Sequence, residues 1–123
     1  MFTAMAAPDP DILLLLAPDF TDGEGRRCYC PACATVEGLL GYYPALRQAL
    51  AVRYIAFARP RAEVVALLGV ANQGLPALVL AEATPPALLA GLEVRTGNGR
   101  RFLQGPATIG RYLARRYGTG EPH

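Results

Sequence analysis

Three thiols, Cys28, Cys30 and Cys33, fall within six residues of a 123-residue sequence that has no other cysteine. Pro31 sits where a helix can begin, because its φ is preset and it has no amide hydrogen to leave unpaired. A helix starting there puts Cys30 at the cap and Cys33 in the first turn, three residues apart and on the same side. Unpaired amides and the positive end of the helix dipole favour a thiolate over a thiol at such a position. Arg26 and Arg27, just upstream, add positive charge and are expected to lower the pKa of Cys30 further. The chemistry this suits is thiol–disulfide exchange. Cys30 attacks a disulfide, and Cys33, the less accessible sulfur, resolves the mixed disulfide.

Two other readings stay open. Cys28-x-Cys30-x-x-Cys33 supplies three thiolates, whereas a closed structural zinc site takes four ligands. His123, the sole histidine, is the last residue, so a metal or cluster site needs a second chain or an external thiol. Alternatively the sulfurs are inert and packed as small hydrophobes, in a binding module that kept its fold without the reaction.

Other groups gain meaning from this pair. Glu37 lies four residues after Cys33, near the same helical face, as an acid/base beside the resolving thiol or as a flank residue in a salt bridge. Cys28 is an additional redox thiol or an inward-packing loop residue. Tyr29, next to Cys30, suits the wall of a substrate groove, while Tyr43, Tyr54, Tyr112 and Tyr117 are expected on apolar faces.

The elements that must hold these residues follow from periodicity. Ile12–Leu16 is a continuous apolar run, as in a strand covered on both faces. An Asp- and Gly-rich loop from Pro18 to Tyr29 leads into the helix at Pro31. Val52–Phe57 reads as a second strand and Arg61–Leu68 as a second helix opened by Pro60 and stopped by Gly69. Leu75–Leu80 is a third strand with a proline at its entrance. Residues 81–91 read as irregular or partly helical. Leu92–Arg95 and Arg100–Leu103 flank a TGNG turn, and a closing helix runs from Pro106 to Gly118. The order β-α-β-α-β-β-α implies an α/β fold in one domain over residues 1–123. Its expected core is a mixed four-stranded sheet, with room for one extra short strand, flanked by helices. The early alternation implies parallel strands and the late hairpin an antiparallel addition.

Composition narrows the class. At 52% hydrophobic and 18% charged the chain is globular,, and the apolar run at Ile12 is too short to span a bilayer. Asp9 and Asp11 stand where a secretory signal would be basic, so a cytoplasmic location is expected, where clustered thiols are catalytic or metal-binding more often than structural. All twelve bases are arginine. The arginine-rich last quarter, without interleaved stacking aromatics, argues for a solvated face over a nucleic-acid surface. Oligomeric state is not legible.

With these residues on the page, the sequence resembles the thioredoxin-like superfamily, and its glutaredoxin branch more than thioredoxin. Tyr29-Cys30-Pro31-Ala32-Cys33 is similar to the glutaredoxin Cys-Pro-Tyr-Cys, with Ala32 in place of tyrosine. Leu75-Pro76 matches the superfamily's cis-proline position, which faces the cysteines and pairs main-chain groups with a bound peptide or glutathione. Arg27 stands where glutaredoxins often carry lysine. Residues 104–118 are similar to the closing helix of the glutathione-transferase thioredoxin domain, where Gln104 matches a residue that holds the γ-glutamyl carboxylate and Gly105 replaces its serine partner. The combination of YCPACATVEGLLGYYP, ARPRAEV and NQGLPALVL also resembles a bacterial family of small thioredoxin-like proteins without an assigned function. The resemblance implies a CxxC redox enzyme with no tightly bound cofactor, a protein or glutathione disulfide as substrate, and glutathione as co-substrate. Arg27, Tyr29, Leu75, Pro76 and Gln104 are its expected substrate-binding residues. The glutaredoxin Gly-Gly and Cys-Asp glutathione signals are missing, and the first strand holds no proton-shuttling aspartate.

Overall fold

The computed structural model describes residues 9–123; the first eight residues of the expected single domain lie outside the described residues. The leucine-rich run forms strand β1 (Ile12–Leu16), an interior strand of a mixed sheet. Side chains alternate across a strand. Leu13 and Leu15 accordingly enter one core with Val36, Leu40, Ile109 and Leu113, while Leu14 enters the other with Val64, Leu68 and Phe102. A run of leucines is what a strand buried on both faces requires.

After β1 comes a small hairpin of β2 (Phe20–Thr21) and β3 (Arg27–Cys28). It occupies the segment expected as plain loop. Asp22 closes it, accepting hydrogen bonds from the amides of Glu24 and Arg26 at 2.9 and 2.8 Å. Phe20 fixes it to the body by stacking on Phe57, with ring centroids 4.3 Å apart and planes within 3°. Helix α1 (Pro31–Tyr42) follows, then a four-residue helix α2 (Leu46–Ala49), strand β4 (Ala51–Ile55) and helix α3 (Ala62–Leu68). Strand β5 (Ala77–Val79), a 3₁₀ turn at Pro86–Leu89, strands β6 (Arg95–Gly97) and β7 (Arg100–Gln104), and helix α4 (Pro106–Tyr117) complete the chain.

The five strands lie in the order β4-β1-β5-β7-β6. β1 and β4 are parallel across α1, and the remaining pairs are antiparallel. The α/β fold is therefore a thioredoxin-like arrangement, with the extra short strand present. The third strand departs from the parallel expectation. α3 has seven residues and rises only about 10 Å, and the chain from Gly69 to Pro76 climbs back before β5 begins. β5 then runs against β1.

A buried carboxylate ties the far end of β1 to the closing helix. Asp11, 1% exposed, accepts hydrogen bonds from the hydroxyls of Tyr112 and Tyr117 at 2.6 and 2.7 Å and from the Ala81 amide at 2.7 Å. Arg116 stands 3.8 Å away. Burial, and then the bonds to Asp11, push the pKa of both tyrosines above the ordinary value of 10.0. Among the described residues, no helix is long and apolar enough to cross a membrane.

Candidate functional site

At the other end of β1 lies the cysteine pair. Pro31 is the first residue of α1 and Cys30 its cap, with extended backbone at φ −84° and ψ 113°. The Cys30 sulfur accepts a hydrogen bond from the Cys33 amide at 3.1 Å, as serine or aspartate does at other helix starts. No acidic residue occupies the first turn, so nothing there offsets the positive end of the helix beneath that sulfur. Cys30 is half-buried and Cys33 buried, both as free thiols. Cys33 Sγ in turn accepts from the Leu16 amide at 3.4 Å, which joins α1 to the last residue of β1. Burial, reinforced by its hydrogen bond with Cys30, pushes the Cys33 thiol up to about 12.

That shift fixes a labelling pattern. A thiol whose pKa lies above the solution pH exposes a thiolate fraction that grows roughly tenfold per pH unit. In reduced protein, iodoacetamide at neutral pH should modify Cys30 and leave Cys33 untouched. Cys33 labelling should climb only as pH rises toward 12. Peptide mass mapping across that range checks it, and equal labelling of the two sulfurs at pH 7 would contradict it.

Both sulfurs border a cavity of about 520 Å³. Its walls are Leu15 and Leu16 of β1, Pro18 and Tyr29 of the hairpin segment, Ala34 of α1 and Tyr54 of β4. Glu37 closes one end. Its carboxylate accepts from Arg47 Nη2 and from the Tyr54 hydroxyl, the latter at 2.8 Å, and Arg47 Nη1 also donates to Tyr54 at 3.1 Å. Tyr54 thus departs from its expected apolar setting. It pairs in register with Leu15 and shares that face, but β4 is an edge strand, so 45% of Tyr54 stays exposed.

The remaining expected residues lie outside this cavity. Arg27 is ion-paired to Asp19, and Arg26 to Asp22 and Glu24, so carboxylates of the hairpin offset the charge expected to act on Cys30. The Cys28 thiol points to Asp22 Oδ2 at 3.7 Å and the Arg26 carbonyl at 3.5 Å rather than joining the other two sulfurs. Among the described residues, no three Cys, His, Asp or Glu side chains converge as metal ligands. The Leu75–Pro76 bond is cis. Continuing the pairing of Leu14 with Ala77 places Pro76 and Leu75 alongside Leu15 and Leu16, and Leu75, like Cys30, packs against the core that includes Cys33. Gln104 donates to the Gly74 carbonyl at 3.3 Å and accepts from Arg95 at 2.8 Å. It braces the segment leading to Leu75.

Sequence reasoning missed Arg61. It is 7% exposed, and its guanidinium donates to the Phe57 carbonyl at 3.0 and 2.9 Å and to the Gln73 carbonyl at 2.7 Å. Among the described residues it has no carboxylate partner within ion-pair distance. Burial pulls its pKa down, and its positive charge slightly offsets the upward push on Cys33. Its position at the start of α3 after Pro60 signalled a helix boundary, not a buried cation.

A family model described as "Protein of unknown function (DUF3088)" matches residues 10–121, nearly every described position. The chain belongs to this family. No curated protein and no solved structure matches it. For this DUF3088 chain the fold and the Cys30–Cys33 geometry are consistent with a redox-active CxxC site, and functional assignment rests on the chemistry that geometry permits.

Proposed function

We propose that this chain is a glutaredoxin-like thiol–disulfide oxidoreductase acting on protein or glutathione disulfides. The observation that carries the reading is the unequal pair: a half-buried Cys30 sulfur held by the Cys33 amide at the helix start, beside a buried Cys33. Cys30 thiolate attacks one sulfur of the substrate, forming a mixed disulfide and expelling the other sulfur as a thiolate. Cys33 then loses its proton and attacks Cys30, closing the Cys30–Cys33 bridge and releasing the second substrate sulfur. The substrate is reduced by two electrons and the pair oxidised by two.

Glu37 is the carboxylate bordering this cavity, and in this reading it is the acid/base group beside the resolving thiol. Tyr29, 65% exposed beside Cys30, lines the approach, with Arg27 at the outer rim. The main chain at Leu75 and Pro76 aligns the substrate, and Gln104 steadies that segment through Gly74. No resident cofactor enters the cycle, and a thiol such as glutathione regenerates the pair.

The test is equilibration in buffers of graded reduced-to-oxidised glutathione ratio, followed by acid quench, alkylation and mass analysis. A bridge between Cys30 and Cys33 that forms and opens with the ratio, while Cys28 stays alkylatable, is the expected result. A pair that stays fully alkylatable at every ratio would overturn the proposal.

A further inference from the structure

The cavity beside the sulfurs has a composition that selects among disulfides. It lies on the β4 side of β1, through Tyr54, whereas Leu75 and Pro76 flank β1 on the β5 side. A substrate aligned along Leu75 therefore leaves this space to a side chain next to its reacting sulfur. Because Cys30 and Cys33 form part of its wall, an occupant of the cavity is one held close to the exchanging disulfide. Its volume of about 520 Å³ falls within the ~300–1,000 Å³ typical of small-ligand pockets and accommodates a large side chain.

The lining is leucine, proline, alanine and tyrosine, and includes no arginine, lysine or histidine. Glu37 is its sole charged member, and that carboxylate already accepts from Arg47 and Tyr54. Arg27, Arg26 and Arg61 are engaged elsewhere. An anionic group entering here would lose its water, find no cation and face a carboxylate. An apolar group would release water from leucine and tyrosine surfaces at no such cost.

Resting on the redox reading above, we infer that the site discriminates in favour of protein or peptide disulfides with a bulky apolar side chain adjacent to the half-cystine, and against glutathione disulfide, whose carboxylates find no partner in the cavity. Glutathione would then serve as slow reductant more readily than as preferred oxidised substrate.

The experiment measures second-order rates of oxidation of reduced protein by four disulfides: hydroxyethyl disulfide, glutathione disulfide, and symmetric disulfides of a blocked Cys-Phe and a blocked Cys-Gly dipeptide. Quenched alkylation and mass analysis report the rates. The Cys-Phe disulfide is expected to react ~10-fold or more faster than the Cys-Gly and glutathione disulfides, the range of a filled apolar pocket. Ala34→Leu, which fills the cavity from an exposed helical position, should bring the Cys-Phe to Cys-Gly rate ratio near one. Equal rates for all four in the wild type, faster reaction with glutathione disulfide, or an unchanged ratio in the variant would each overturn the inference alone. No reaction with any of the four disulfides would overturn the redox reading and, with it, this inference.

Discussion

Cys30→Ser is expected to lower the rate of disulfide exchange roughly a thousandfold or more, because a serine hydroxyl is not ionised at neutral pH and cannot form the mixed disulfide. The substitution separates chemistry from folding. Cys30 caps α1 by accepting from the Cys33 amide, and serine is among the best residues for that role. The variant should keep its helix start and its thermal stability. Cys33→Ser should give a different defect: with no added thiol, Cys30 still attacks, its partner sulfur is gone, and a mixed disulfide with the substrate accumulates. The buried site tolerates a serine because the Leu16 amide supplies a donor there. Reduction of hydroxyethyl disulfide together with intact-mass analysis reads both outcomes. Full activity in Cys30→Ser would remove Cys30 from the mechanism, and release of product without a trapped adduct in Cys33→Ser would remove Cys33.

The largest stability effect is expected at the opposite end of β1. Asp11→Ala leaves the Tyr112 hydroxyl, the Tyr117 hydroxyl and the Ala81 amide without their common acceptor. Removing one partner from a buried charged network costs about 3–5 kcal/mol. That is a large part of the 5–15 kcal/mol that typically holds a domain, so the variant should sit near its unfolding threshold at 37 °C. Asp11→Asn keeps one acceptor and should lose less, about 1–2 kcal/mol. Urea titration followed by circular dichroism measures both, and a shift below about 0.5 kcal/mol for the alanine variant would show the network to be dispensable. The two tyrosines add an alkaline limit. Their folded pKa lies above 10.0, so the folded chain holds protons that the unfolded chain releases. Their contribution to stability is fully present below pH 10 and falls as the pH climbs past it.

How much of this was legible depends on whether the cause is local. The helix start at Cys30 and Pro31 was readable because the cap and the proline ring act within the first turn. β1 was readable because a five-residue apolar run has few other uses. The hairpin was not, since Phe20–Thr21 and Arg27–Cys28 are too short to show alternation, and a stack on Phe57, distant in sequence, holds them. Asp11 was legible only as an acid where a secretory signal would be basic; its burial follows from hydroxyls a hundred residues away. Arg61 was hidden for the same reason, because its acceptors are main-chain carbonyls, which carry no side-chain signature in sequence. The cavity wall at Tyr54 needed the edge placement of β4, which is a property of strand order. The reversed β5 needed the return of residues 69–76 to the start of α3, where Gln73 meets Arg61.

β1 is fastened at one end by Asp11 to α4 and at the other by the Leu16 amide to Cys33. The Cys33 sulfur is therefore bonded to the same strand that Asp11 anchors to the closing helix, and Cys30 joins it through the Cys33 amide. For the proposed redox cycle, robustness and reactivity would then not be rival goods to be traded. A loosened strand would displace the resolving thiol as it softened the fold, and a stiffer one would serve both.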